Sequence, residues 1–373
     1  MKIAFIIHAL QCGGAERVLA LMANYWAARG YSIDILTMDD GVDSPFYPLH
    51  YAIRHHPLNL LTRSTQRCKA YYENLQRLGG IRRALRDIQP DCVISFIDIM
   101  NLFSIVAVLG LKIPVVVSER SDPFQYKIGR HWEFLRHRLY PLADAIVVQS
   151  DDISSYFSER LHPKIHTIPN PVFAPSPNGA GSWTLPKPSI LAVGRFTFEK
   201  GFRQLVQAFA NLHPRHPEWH LVLVGDGPLR PELEELRGQL ALQDVVHMPG
   251  RIADIYSVYA QAEMFVLSSL FEGFPNVLCE AMASGLPVIA TRCSYGPIAI
   301  VRPEQDGLQI PPNDIPALEH AMEKLIVHPE LRIQYGRSAR EILERYRMDT
   351  IMKQWDDLLC RVIKNNQYTN RNV

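Results

Sequence analysis

An α/β fold of two successive Rossmann-like, doubly wound domains is what this sequence predicts, on three observations. Its 373 residues suit two domains of ordinary size, each able to bury its own core. Short, wholly apolar runs alternate with amphipathic stretches, as expected for parallel strands covered on both faces. The alternation pauses at a stretch rich in Pro, Gly, Ser and Asn, from Pro169 to Pro188, and then begins again.

Taken in order, the first array reads as strands at Lys2–His8, Ser32–Met38, Cys92–Ile97, Val115–Glu119 and Ala145–Ser150. A helix over Ala15–Arg29 places Leu19, Met22, Ala23 and Trp26 on one face. The second array reads as strands at Ile190–Val193, His220–Val224, Val245–Met248, Met264–Leu267 and Pro287–Thr291. Its helices fall at Phe202–Leu212, Glu232–Leu240 and Asn276–Ser284. The expected domains are therefore residues 1–172 and 186–349, facing across a cleft that is the default ligand site. A last helix, about residues 350–366, lies beyond the second array and can pack back on the first domain.

Composition narrows the function. The formal net charge is +1, from 39 Lys+Arg against 38 Asp+Glu, which disfavours a dedicated nucleic-acid binder and an acidic disordered chain. Six cysteines form no C-x-x-C and no Cys/His set with zinc spacing, so they read as reduced thiols of a cytoplasmic protein. The opening apolar run is short, contains His8 and leads into Gln11-Cys12-Gly13-Gly14. It reads as a buried first strand rather than a signal peptide, and no run approaches the ~20 apolar residues of a membrane span.

The strongest local motif is Ser268-Ser269-Leu270-Phe271-Glu272-Gly273-Phe274-Pro275-Asn276-Val277-Leu278-Cys279-Glu280. A strand ends, Gly273 allows a sharp turn, and Pro275 suits the start of a helix. Amides of Asn276, Val277 and Leu278 then offer an anion site at the helix N-terminus. Glu272 and Glu280 flank it. Carboxylates repel phosphate, so they suit hydroxyls: a donated sugar at Glu272 and a ribose at Glu280, on either side of a diphosphate. Val193-Gly194-Arg195, followed by Lys200-Gly201, puts two cations in a loop at the C-terminal edge of a sheet, suited to that diphosphate and to charge developing on a phosphate leaving group. A third segment, Gly13-Gly14-Ala15-Glu16-Arg17, leads a strand through two glycines into a helix, so backbone near Gly14 can approach a phosphate. It is not G-x-G-x-x-G, which disfavours a nicotinamide-dependent oxidoreductase.

With these segments together, the chain resembles a retaining glycosyltransferase of family 4, of the two-domain GT-B fold, along nearly its whole length. Glu272 to Glu280 matches the family's E-x7-E motif. Leu223-Val224-Gly225-Asp226-Gly227-Pro228 is a further anchor. The wording Ser269 to Asn276 is similar to the bacterial branch that builds exopolysaccharide and lipid-linked oligosaccharide. That branch includes amylovoran-type galactosyltransferases and N-acetylgalactosaminyltransferases acting on undecaprenyl diphosphate glycans. The resemblance implies transfer of a hexose or N-acetylhexosamine from a UDP-sugar to a lipid-linked or polysaccharide acceptor. It implies Arg195 and Lys200 on the diphosphate, Glu272 on the donated sugar, Glu280 on the ribose and Arg251 near the base. Where many members carry a His after the fifth strand of the first domain, this chain has Arg120. That makes Arg120 or Glu119 an expected acceptor contact, and Glu16 is expected to be another. No D-x-D occurs, so no cofactor and no metal are expected, with Arg195, Lys200 and helix amides in the metal's place.

Residues 61–88 carry Arg63, Arg67, Lys69, Arg77, Arg82, Arg83 and Arg86 against Glu73 and Asp87, a net +5. Tyr71, Tyr72, Leu75 and Leu78 recur there at helical spacing, and Gly79-Gly80 is expected to interrupt a single helix. Lys127–Arg138 adds four cations interleaved with Tyr126, Trp132 and Phe134. Cations among aromatics suit an anionic membrane surface or a polyprenyl diphosphate, which places the protein peripherally on the inner face of the cytoplasmic membrane. Two other readings share the fold or the ligand: a UDP-N-acetylglucosamine 2-epimerase-like enzyme, and a non-catalytic carbohydrate-binding protein. The full Glu272/Glu280 motif with Arg195 and Lys200 weighs against both.

Overall fold

A computed structural model describes residues 1–61, 67–175 and 183–371, without the side chains of 67–71, 295 and 369–371. It divides into two compact units, one of Met1–Asn170 with the chain from Asp349 onward, the other of Pro171–Met348. Each unit is a parallel sheet flanked by helices, so the expected pair of Rossmann-like folds is present.

In the first unit the chain runs β1 (Lys2–Ile6), α1 (Gly14–Ala27), β2 (Ser32–Thr37), β3 (Arg54–Pro57), α2 (Arg67–Ile88), β4 (Cys92–Phe96), α3 (Asp98–Val108), β5 (Val115–Ser118), α4 (Arg130–Leu139), β6 (Ala145–Val148), α5 (Asp151–Ser154) and β7 (Ile165–Thr167). The spatial order is β3-β2-β1-β4-β5-β6-β7, every neighbouring pair parallel. The expected α1 face is buried: Leu19, Met22, Ala23 and Trp26 are fully covered. Burying an aromatic of that size stabilises by roughly 2–3 kcal/mol.

The second unit runs β8 (Ser189–Val193), α6 (Phe202–Leu212), β9 (His220–Val224), α7 (Arg230–Gln239), β10 (Val246–Gly250), α8 (Ile255–Tyr259), β11 (Met264–Leu267), α9 (Asn276–Ala283), β12 (Val288–Thr291), α10 (Tyr295–Ile300), β13 (Gly307–Ile310), α11 (Ile315–Val327), α12 (Pro329–Ala339) and α13 (Ile342–Arg345). Its sheet order is β10-β9-β8-β11-β12-β13, again all parallel. The order reverses direction between β1 and β4 in one sheet and between β8 and β11 in the other. Loops leaving the C-terminal ends of such strand pairs diverge and open a crevice where ligands bind.

The long helix α14 (Met348–Arg371) closes the chain. Ile351, Met352, Trp355, Leu358, Leu359 and Val362 recur at three- and four-residue spacing and are buried. It is tied to the first unit: Trp26 Nε1 donates to Asp356 at 2.8 Å, and Tyr25 Oη donates to Asp349 at 3.0 Å.

Two expectations need correction. Gly79-Gly80 does not interrupt α2, which runs unbroken from Arg67 to Ile88. A Cβ at Gly80 would meet only the flexible Leu60 side chain, and Gly79 has open space around it, so neither glycine breaks the helix. Glu119, expected to face an acceptor, points into the core and is fully buried. Its Oε2 accepts from Tyr140 Oη at 2.7 Å. Arg136, also buried, lies 3.8 Å from Glu119, 3.6 Å from Asp98 and 3.4 Å from Glu133. These separations are too long for direct hydrogen bonds, so attraction to Arg136 only partly offsets the loss of solvent. Burial pushes the Glu119 carboxyl up to about 7, and raises Asp98 as well.

A carboxyl whose folded value lies near 7 and whose ordinary value is 4.5 holds its proton more tightly in the folded state. Its ionisation therefore weakens the fold as pH rises through that window. Glu119→Gln removes that loss. Its stability relative to the parent should improve by roughly 1–3 kcal/mol between about pH 5 and about pH 8. Urea denaturation at both pH values checks this, and a difference that does not change with pH contradicts it.

Candidate active site

Two loops of the second unit meet at the switch point between β8 and β11. After β8 the chain passes through Gly194 and exposed Arg195, turns at Phe198–Lys200, and enters α6 at Gly201. Gly201 has φ +62°, and a Cβ there would collide with the carbonyl oxygen of Ser268 at the end of β11. Only glycine allows both that conformation and that approach. The loops are then sewn together. Ser268 Oγ donates to the Lys200 carbonyl at 2.9 Å, and the Leu270 amide donates to the Glu199 carbonyl at 2.7 Å. Gly225, at φ +138° after β9, brings a third loop against the Gly194 carbonyl.

This framework brings Lys200 and Glu272 together from 72 residues apart. Lys200 Nζ lies 2.6 Å from Glu272 Oε1, with the lysine side chain 20% exposed and the carboxylate 10% exposed. Ser269 Oγ donates to the same oxygen at 2.6 Å. Ser294 Oγ donates to the Glu272 carbonyl at 2.6 Å, and Thr291 Oγ1 donates to the Ser269 carbonyl at 2.5 Å. The carboxylate is thus held by Lys200 and Ser269, and its own backbone by Ser294 from a third loop, an arrangement suited to accepting hydroxyls from a ligand.

Beyond Glu272, Gly273 and Phe274 are partly exposed, and the Phe274 ring meets Tyr346 edge-on at 5.5 Å. Pro275 occupies the cap position and α9 begins at Asn276. The Leu278 amide needs correction: it donates to the Pro275 carbonyl at 3.1 Å, inside the first turn, and the residue is buried. Asn276 and Val277 remain at the helix N-terminus, where the helix dipole favours an anion. Glu280, one turn on, is 6% exposed. Tyr259 Oη lies 3.3 Å from its Oε2 and 3.3 Å from the Val277 carbonyl oxygen. Arg251, just past β10, is exposed. Among the described residues no group of three or more His, Cys, Asp or Glu side chains is placed to hold a metal ion.

In the first unit, Gly14 opens α1 at the C-terminal side of β1. Glu16 folds back so that a Cβ on Gly13 would collide with its carboxylate, which places negative charge at that helix's own N-terminus. Arg120 follows β5. Its guanidinium carbon sits 4.2 Å over the Phe96 ring, and Nη1 donates to Asn170 Oδ1 at 2.5 Å. Burial lowers this arginine to about 9.

The basic segment is thinner than its sequence. Arg63 lies outside the described residues, as do the side chains of Arg67 and Lys69. Arg77 donates to the Leu60 carbonyl, and Arg82 donates to the Ala107 and Leu109 carbonyls at the end of α3. Arg83 and Arg86 are exposed. The stronger surface is α4 with its flanking loops. Phe124, Tyr126, Phe134, Leu135 and Leu142 are exposed there among exposed Lys127, Arg130 and Arg138. No helix among the described residues is long and apolar enough to cross a membrane.

Sequence reasoning missed the residues that hold the acids. Ser269 lay within the quoted motif, but nothing in the sequence pairs Thr291 or Ser294 with it, and nothing links Tyr259 to Glu280.

Comparison with known proteins bears on both units. Residues 12–173 match the model described as Glycosyltransferase Family 4, and residues 181–342 match the one described as Glycosyl transferases group 1. An N-acetylgalactosaminyltransferase of Campylobacter jejuni is 28% identical across 97% of this chain and 99% of its own length. Its name specifies an undecaprenol-diphosphate-linked glycan. An exopolysaccharide phosphotransferase of Streptomyces coelicolor is 29% identical across 97% of this chain, which spans only 41% of that longer protein. Among solved structures, Anabaena HepE in complex with UDP and glucose superposes with a TM-score of 0.80 at 19% identity, covering 97% of this chain and all of that one.

Proposed function

The chain belongs to the family 4 glycosyltransferases, and on that premise we propose that it moves a hexose or N-acetylhexosamine from a UDP-sugar to a polyprenyl-diphosphate-linked or polysaccharide acceptor, with retention of configuration. The observation that carries this is the meeting of Lys200 and Glu272 at 2.6 Å on the switch-point loops of the second unit. Nearby lie Arg195 and the N-terminus of α9. The UDP found with HepE and the lipid-linked glycan named for the Campylobacter relative support the choice of donor and acceptor.

In this reading Arg195 and Lys200 take the donor diphosphate, with amides at Asn276 and Val277. Lys200 has three N–H donors, so it can bond a phosphate oxygen while keeping Glu272. Glu272 accepts hydroxyls of the donated sugar, Glu280 those of the ribose, and Arg251 lies toward the base. An acceptor hydroxyl attacks the anomeric carbon on the face from which the diphosphate departs. The new carbon–oxygen bond forms as the sugar–phosphate bond breaks, and the leaving phosphate oxygen takes the acceptor proton. Fixed cations stabilise the charge that develops on the leaving group, which removes the need for a metal. Arg120 and Glu16 are the acceptor contacts that the first unit offers. The exposed apolar side chains of α4 and its flanking loops, interspersed with cations, suit an anionic bilayer surface, which would hold the enzyme peripherally on the inner face of the cytoplasmic membrane.

A donor screen that measures UDP release, with an undecaprenyl-diphosphate oligosaccharide as acceptor, tests the chemistry. Turnover should persist in EDTA, and the product should keep the donor's anomeric configuration by NMR. Arg195→Ala and Lys200→Ala should each lose about 10²-fold or more in rate. Undiminished turnover in both variants overturns the site, and an inverted product overturns the stereochemistry. Vesicle flotation tests the surface. Binding should require anionic lipid and fall in a Phe134→Ser, Leu142→Ser double variant, whereas equal and negligible binding to anionic and neutral vesicles removes the membrane assignment.

A further inference from the structure

We infer that Tyr259 is a positioning residue for the nucleotide, aiming the Glu280 carboxylate at the ribose; this rests on the donor assignment proposed above. Tyr259 ends α8, a short helix opened by the Asp254 side chain, which accepts from the Ser257 amide at 3.3 Å. The tyrosine is fully buried. Its ring packs edge-on against Phe265 of β11 at 6.0 Å and against Tyr256 at 6.1 Å. That packing fixes where its hydroxyl lies, and the hydroxyl reaches α9 rather than its own helix.

A phenol has one proton to donate. Here it stands 3.3 Å from the Val277 carbonyl oxygen, in the first turn of α9, and 3.3 Å from Glu280 Oε2, one turn later. A three-centre bond of this length is weak, but it ties one carboxylate oxygen to a rigid ring. A glutamate side chain has three torsions, and fixing them when a ligand arrives costs affinity. Holding one oxygen beforehand lowers that cost. Ser284 Oγ donates to the Glu280 carbonyl at 2.8 Å, which steadies the backbone on the following turn. Tyr259 does not reach the ribose itself. It acts through Glu280, so its effect should appear only with a ligand that has ribose hydroxyls.

Calorimetry of the full chain with UDP and with 2′,3′-dideoxy-UDP separates the possibilities. The parent should prefer UDP. In Tyr259→Phe, which keeps the ring packing, the Kd for UDP should rise about three- to ten-fold, while that for the dideoxy nucleotide stays within about two-fold. In Glu280→Ala the preference should collapse. If Tyr259→Phe keeps the parental preference, or weakens both nucleotides equally, while Glu280→Ala loses it, the inference is overturned and the donor assignment stands. If the parent shows no preference, or Glu280→Ala leaves it intact, the assignment of Glu280 to the ribose fails and takes the inference with it.

Discussion

The contact between Lys200 and Glu272 is the constraint on which the site depends. It joins the loop after β8 to the loop after β11, at the point where the strand order of the sheet reverses. The two backbones approach closely where Gly201 lies against the Ser268 carbonyl, and Gly225 packs the loop after β9 against the Gly194 carbonyl. A methyl group at Gly201 would push the Lys200 and Glu272 loops apart, and one at Gly225 would displace the loop that carries Arg195. Placing Ser269 Oγ and Lys200 Nζ on the same carboxylate oxygen restricts rotation of Glu272. Such restriction suits an acid that accepts directed hydrogen bonds, because the choice between epimeric hydroxyls rests on one or two of them.

The two units put charge to different uses. The second places Lys200 and Glu272 at the C-terminal edge of the sheet, mostly covered and close to a helix N-terminus. The first buries a cluster of Asp98, Glu119, Arg136 and Tyr140 behind β4 and β5. Its ion pairs are stretched to 3.6 and 3.8 Å, and the Glu119 carboxyl is driven toward neutrality by burial. Arg120, one residue on, leaves this cluster and lies over Phe96 with Asn170. Adjacent residues on an extended chain point to opposite sides, so a core acid and a sheet-edge cation can follow one another directly.

The fold was legible where apolar runs are long enough to be distinctive, as in β1, β4, β9 and β11. It was not legible at β3 (Arg54–Pro57) and β7 (Ile165–Thr167), edge strands whose short polar sequences carry no alternation, nor at the four-residue β13. Gly79-Gly80 misled because a glycine pair usually ends a helix, whereas α2 is held by Ile81, Leu85 and Ile88, buried in the core of the first unit. In the site, Arg195, Lys200 and Glu272 stood out because acids and cations flank glycines at strand ends, and Glu280 because it lies about one turn into the helix that follows. Glu119 misled because a charged residue after a strand reads as exposed, and its burial depends on Tyr140 and Arg136, which lie 21 and 17 residues away in sequence. Tyr259, Thr291 and Ser294 were silent for the same reason: their roles come from packing across the sheet edge.

A crystal structure of the chain with UDP bound tests the central claim most directly. The diphosphate should lie within hydrogen-bond distance of Arg195 and Lys200 at the N-terminus of α9, with the ribose hydroxyls on Glu280 and the Glu272 carboxylate left facing the sugar position. Nucleotide density on any other surface, or a diphosphate that leaves Arg195 and Lys200 untouched, would contradict it.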